Sequence, residues 1–219
     1  MCKSHSMRFL TFVSLAFAAG CQSICAQTVT LDAIQDGKKV GTVSFTRTIS
    51  GAKQSSVTKL TTLQNGVTTT LDLRASFESK GVALSRSASI KQGKNSANLS
   101  ATFSGRNASV VIDSNGKKVT RVIPAPEGQL GDPTMWWFVR DKPKVGTKVT
   151  YLTFNIVKLT WTSVSATYVG KKSIMVGTKK VSANQVSESR DGGTFNAYLD
   201  DKGLPLILEQ PKVRFVRKW

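Results

Sequence analysis

Apolar and polar residues alternate along most of this chain with a period of two. Residues 28–34 place Val29, Leu31 and Ala33 on one face, and Val43, Phe45 and Ile49 share a face of the next run. The rhythm continues with Leu71, Leu73 and Ala75, then Val82, Leu84, Ala88 and Ile90, then Ala97, Leu99, Ala101 and Phe103. Ala108, Val110 and Ile112 follow, and after them Val119 and Ile123. The positions between are filled by Ser, Thr, Lys and Arg. A period of two rather than 3.6 marks strands, and polar residues on the second face mark a sheet with one wet side.

Turn residues separate these runs at hairpin spacing: Asp36-Gly37, Asn65-Gly66, Lys80-Gly81, Gln92-Gly93, Ser104-Gly105 and Asn115-Gly116. Glycine and asparagine accept the positive φ that two-residue hairpins need. Short strands joined by such turns predict an antiparallel meander.

The alternation stops at Pro124. Residues 124–148 hold four of the six prolines, Pro124, Pro126, Pro133 and Pro143. Asp132 followed by Pro133 is a helix-start pair, which predicts one short helix over residues 134–140 carrying Met135, Trp136, Trp137 and Phe138. Strand patterns resume over 149–157, 159–168, 173–176, 181–189, 194–199 and 204–209, and residues 213–219 read as a last edge strand. Neither half holds enough apolar residues for a core of its own. The expected fold is therefore all-β: one long, curved antiparallel meander sheet, a half-barrel or open barrel, with a short helix in the 124–148 connection and a single domain over 27–219.

The first 26 residues differ in kind. Lys3 and Arg8 precede an 11-residue apolar run, Phe9 to Ala19, and small residues follow. This is the pattern of a secretory signal peptide. The run is short of the ~20 residues that span a bilayer. Cleavage after Ala26 would release a soluble protein, whereas Ala18-Ala19-Gly20-Cys21 is similar to a lipobox that would make Cys21 the lipidated residue. Either way the expected location is outside the cytoplasm, in the periplasm or cell envelope.

The leader changes the chemistry open to the rest. The three cysteines, Cys2, Cys21 and Cys25, and the only histidine, His5, all lie in residues 1–26. Residues 27–219 thus hold no disulfide pair, no thiolate metal site and no imidazole base. Ser-His-Asp, Cys-His and zinc-hydrolase mechanisms are excluded for that part. Neither a metal nor a cofactor is expected, and the protein reads as a non-enzyme. Three matches to S-x-x-K, at Ser50, Ser56 and Ser114, fall in turns and strands and lack the partner motifs of serine acyl-enzymes. Asp200-Asp201 beside Lys202 reads as a hairpin turn rather than a calcium site.

Charge completes the reading. The chain carries 31 basic and 13 acidic residues. Such an excess attracts anions. With export expected, the candidates are anionic lipids and acidic envelope polymers rather than nucleic acid. The other positive signal is the Met135-Trp136-Trp137-Phe138 cluster. Successive helical residues point about 100° apart, so the two tryptophans cannot both face a core, and these four residues are the expected ligand-binding positions.

The second half resembles a known family. Pro126-Glu127-Gly128, Asp132-Pro133, Lys144-Val145-Gly146 and Val176-Gly177-Thr178 occur in order. Asp191-Gly192-Gly193 follows, and then the run Leu199-Asp200-Asp201-Lys202-Gly203-Leu204-Pro205. Across residues 124–210 this order is similar to the bacterial envelope family called domain of unknown function 3108. The resemblance implies a curved antiparallel sheet like that of periplasmic lipoprotein carriers, and no catalytic residues. Two functional expectations follow. One is a carrier binding a hydrophobic or amphiphilic ligand near Trp136, Trp137 and Phe138. The other is a structural protein with a packed interior that adheres to anionic envelope polymers.

Overall fold

In a computed structural model, residues 25–50, 53–64, 66–78, 81–131, 137–190 and 193–219 are described. Residues 1–24, with Cys21, together with Met135 and Trp136, lie outside them. The alternating runs form the strands β1 (Cys25–Gln35), β2 (Lys38–Ser50), β3 (Lys53–Gln64), β4 (Val67–Glu78), β5 (Ala83–Gln92), β6 (Asn95–Ser104), β7 (Asn107–Ser114) and β8 (Lys117–Pro124). After the connection come β9 (Lys148–Asn155), β10 (Thr160–Val176), β11 (Lys179–Arg190), β12 (Gly193–Leu199), β13 (Pro205–Glu209) and β14 (Arg214–Arg217). The Asp36-Gly37 and Asn115-Gly116 turns have positive φ at both positions (51° and 74°, 51° and 79°), as hairpins that match strand twist require.

All fourteen strands belong to one antiparallel sheet in the order β8-β7-β6-β5-β4-β3-β2-β1-β14-β13-β12-β11-β10-β9. The chain starts in the middle, walks out to one edge, crosses to the opposite edge and walks back. The middle is closed by β14 pairing with both β1 and β13, with Leu31 opposite Arg217 and Ile207 opposite Val216. The tail expected at an edge is thus central, because the free edge of β1 and the end of the second meander need each other's backbone groups. Two more corrections concern strands. Residues 53–64 form β3 although only Val57, Leu60 and Leu63 mark it, at period three. The runs at 159–168 and 173–176 are one strand, β10, with a bulge between Tyr168 and Gly170.

The sheet is rolled, not flat. Its two edge regions meet: Phe154 of β9 packs with Ala88, Leu99, Ala101, Ala108 and Val110 of β5–β7. Trp161 donates its indole N–H to the Ile123 carbonyl of β8 at 3.2 Å. Strand β9 is consequently buried on both faces, with Tyr151 on one side and Leu152 and Phe154 on the other. Its outer edge is paired by the connection, where the Leu152 N–H donates to the Gln129 carbonyl and the Gly131 N–H to the Leu152 carbonyl. The edge of β9 therefore tucks inside the opposite margin, and the ladder does not close into a barrel.

The helix expected over 134–140 is not supported as such. What is described is one five-residue turn, Trp137–Asp141, and the expected start at Asp132-Pro133 lies outside the described residues. Five residues cannot hold a helix by backbone bonds alone. Packing holds this turn, since Trp137 and Phe138 are 7% exposed and sit against Ala166, Val186, Ala197 and Leu199. Phe138 also stacks on Tyr168 at 5.9 Å.

Candidate functional site

The interior of the roll has two storeys. Trp137 and Phe138 fill the lower one, over the inner faces of β10–β12. Above them, a chamber of about 350 Å³ is lined by Leu73, Arg86, Phe154, Glu188, Arg190 and Phe195, among others. A second lobe of about 280 Å³ shares Glu188, Arg190 and Phe195 with it and adds Ala197 and Leu208.

Strand register explains why charged side chains point inward. Arg86 pairs across with Ala75 on one side and Ala101 on the other, and these small neighbours leave room for its long side chain. Its guanidinium donates to Thr153 Oγ1 at 3.0 Å and lies over the Phe77 ring at 5.7 Å. Glu188 and Arg190 share the inner face of β11 with Val186, and Glu188 stands opposite Phe195. Arg190 lies over the Phe195 ring, 4.5 Å from its centroid, a geometry that favours a cation above the π face.

The electrostatics are those of a partly open chamber with more cation than anion on its walls. Burial and the nearby Arg190 lower Arg86 from its ordinary value to about 10, so it stays charged at neutral pH. Burial pushes the Glu188 carboxyl up, and Arg190 only partly offsets this. The Tyr151 hydroxyl is likewise pushed up by burial and by Glu188. That hydroxyl is buried with no hydrogen-bond partner among the described residues. A buried polar atom without a partner costs ~1–3 kcal/mol, and this one sits within electrostatic reach of Glu188 and Arg190.

A pH dependence follows. Folded protein holds the Glu188 proton more tightly than unfolded chain. The stability linked to that proton is fully present below the unfolded carboxyl range. It is lost as pH rises through the raised value. Arg86, Arg190, Tyr151 and, in the second lobe, Glu209 are the other titratable groups near this carboxyl, and all four are common to wild type and variant. Thermal melts of Glu188→Gln between about pH 4 and pH 8 are expected to show a flatter profile than wild type and a gain at the upper end. Equal slopes in the two proteins would refute the assignment.

Two of the four expected binding residues fall within the described part. Trp137 and Phe138 are core residues that line neither lobe, while Met135 and Trp136 are among the residues not described. No group of three or more His, Cys, Asp or Glu able to hold a metal occurs among the described residues. The Asp200 turn is structural: its Oδ1 accepts from the Lys202 and Leu204 N–H groups at 3.0 and 2.9 Å, and its Oδ2 accepts from Arg217 at 2.9 Å. Asp201 is engaged by Asn184 and Lys171.

A larger hollow of about 690 Å³ crosses the wet face of β3–β8. Its floor includes a cross-strand row of Lys59, Asp72, Ser89, Asn98, Asp113 and Lys118. Asp72 pairs with Arg74 and Asp113 with Lys118, and Lys59 and Lys91 leave the hollow with more cation than anion.

The fold so defined is an open, rolled, single-sheet β architecture. The chain matches no family model and no curated protein. Among solved structures it is similar to a β-barrel-like protein of the domain of unknown function DUF1849 from Brucella abortus. The TM-score is 0.59 at 11% identity, covering 87% of this chain and 94% of the other. A DUF1089 family protein from Pseudomonas aeruginosa aligns with a TM-score of 0.44 at 14% identity, over 93% and 96% of the two chains. The first likeness shows the fold alone. The likeness of residues 124–210 to domain of unknown function 3108 keeps the standing of a resemblance.

Proposed function

We propose that this protein is a non-catalytic binding protein of the cell envelope whose rolled sheet takes a small amphiphilic molecule into the chamber above Trp137 and Phe138. The observation that carries this reading is the composition of the chamber wall. Leu73, Phe154 and Phe195 offer apolar surface beside the polar groups of Arg86, Glu188 and Arg190. Ligand sites are typically apolar clefts of ~300–1,000 Å³ with a few convergent polar groups, and the chamber falls at the small end of that range. At roughly 30 Å³ per water-sized group, it suits a molecule of on the order of ten to twenty heavy atoms and not a lipoprotein.

Support for a binding rather than a reacting site comes from its residue types. Two guanidiniums and one carboxyl beside aromatic rings recognise charge and surface, and residues 27–219 bring no imidazole or thiol to move a proton or attack a carbon. The leader supports an envelope location. The other expectation, adherence to anionic polymers, has its own support in the outer hollow, where four cations line the same surface as two carboxylates.

Titrating delipidated protein with a fluorescent medium-chain fatty acid tests the proposal. Saturable one-site binding is expected, with a change in emission from Trp161, whose ring lies 5.2 Å from Phe154 in the chamber wall. Absence of saturable binding, with salt-sensitive capture on an anionic polymer instead, would favour the adhesion reading.

A further inference from the structure

We infer that the chamber selects the head group of its ligand: it takes a single-chain amphiphile ending in a carboxylate or phosphate, held by the guanidiniums of Arg86 and Arg190 with the tail along Leu73 and Phe195. The inference rests on the reading of the chamber as an amphiphile site and names the chemical class that fits it.

Three independent features converge on an anion. The first is that two cations face one chamber. Arg86 and Arg190 come from strands at positions 4 and 12 of the sheet order, on opposite walls of the roll, and both line the same space. Like charges brought together away from water repel, and an anion between them converts that cost into attraction. Arginine's planar fork matches both oxygens of a carboxylate or phosphate.

Second, the chamber is short of negative charge. Glu188 is the one carboxylate lining the first lobe. Glu209 lines the second lobe but is engaged by Arg214 at 3.4 Å. Burial disfavours the ionised form of Glu188, so uptake of a ligand anion beside the arginines would favour its protonated form further. The Arg190 guanidinium carbon lies 4.5 Å from the Phe195 ring centroid, which holds this cation against the chamber wall.

Third, the spare donor lies nearby. Tyr151 pairs across β9 and β10 with Val164, and one step on in the β10–β11 register Arg190 falls beside Val164. The buried, unpartnered Tyr151 hydroxyl is therefore on the same face as Arg190, next to the chamber although it is not in the lining of either lobe. Leu73 and Phe195 add apolar surface to the same lining, which leaves the arginines to the head group.

The experiment compares octanoate, octyl phosphate, octanol and octylamine on the full delipidated protein by titration calorimetry, with acetate and inorganic phosphate as tail-less arms. The two long-chain anions are expected to bind about ten- to a hundredfold tighter than octanol, the range for a hydrogen bond to a charged group. Octylamine is expected to bind weakest. Arg190→Gln should erase most of the preference for octanoate while leaving octanol unchanged, and Arg190→Lys should keep part of it.

Octanol binding as tightly as octanoate would overturn the head-group assignment and leave the amphiphile reading standing. Inorganic phosphate binding as tightly as octyl phosphate would make this a free-anion site and overturn both. Binding of none of the six would sink the amphiphile reading itself. The wild-type series decides these points even where a substitution fails to fold.

Discussion

Phe154→Ala is expected to lower stability by about 3–5 kcal/mol, the range for deleting a buried phenylalanine side chain. Phe154 is 1% exposed. Its ring meets Phe103 at 5.8 Å and Trp161 at 5.2 Å, edge to face in both cases, and Phe103 meets Trp161 at 5.8 Å to close the triangle. Aromatic pairs of this kind contribute about 0.5–1.5 kcal/mol beyond burial. The three rings come from β6, β9 and β10, so they join the two margins of the rolled sheet where no ladder does. Truncating Phe154 removes the knob that holds β9 within the curve of β5–β7. For a chain of this size, each kcal/mol corresponds to roughly 2–4 °C in melting temperature, so calorimetry resolves the effect easily. Red-shifted tryptophan emission is expected below the melting transition, because Trp161 loses its cover. Phe154→Leu should recover most of the loss. An unchanged melt would mean that something other than this triad closes the roll.

Gly41→Ala is the second large effect. A Cβ at Gly41 would overlap the Thr61 carbonyl oxygen and stand 3.0 Å from the Thr62 Cα. Both obstacles are backbone of β3, so neither can swing aside. Gly41 lies opposite Ala33 and Thr62, next to the register shift between Ala33 and Ile34. Overpacking that forces backbone to move costs about 1–3 kcal/mol, occasionally more. The control is Gly37→Asn, at φ 74° with nothing within 4 Å of a Cβ. Asparagine tolerates that conformation, so little change is expected there. Chemical denaturation separates the two: Gly41→Ala should move the midpoint well below that of Gly37→Asn. Similar midpoints would show that conformation rather than space dictates glycine in β2.

The chamber was partly legible in the sequence, and the trace lay in a break of rhythm. The face built by Val82, Leu84, Ala88 and Ile90 skips position 86, which is Arg86. The inner face of β11 runs Val186, Glu188, Arg190 in the same way. A charged residue at an apolar-face position is the sign of a polar interior, because burying charge without function or partner is costly. The tryptophan-rich connector drew attention instead. Of its cluster, Trp137 and Phe138 pack against Ala166, Val186, Ala197 and Leu199, a burial that composition alone does not reveal.

By itself the sequence determined that the chain is β throughout its body, where most hairpins turn, and that imidazole and thiol chemistry is confined to the first 26 residues. These properties are local, since alternation, turn residues and composition act within a few positions of themselves. Tertiary structure alone decided that β14 is central and that β9 is buried on both faces. It likewise placed Arg86 and Arg190 on facing walls of one chamber. The physical reason is that alternation assigns a residue to a face but says nothing of how far the sheet curls. Only the curl, summed from the twist of fourteen strands and closed by the Phe103, Phe154 and Trp161 contacts, brings two arginines more than a hundred residues apart into the same small space.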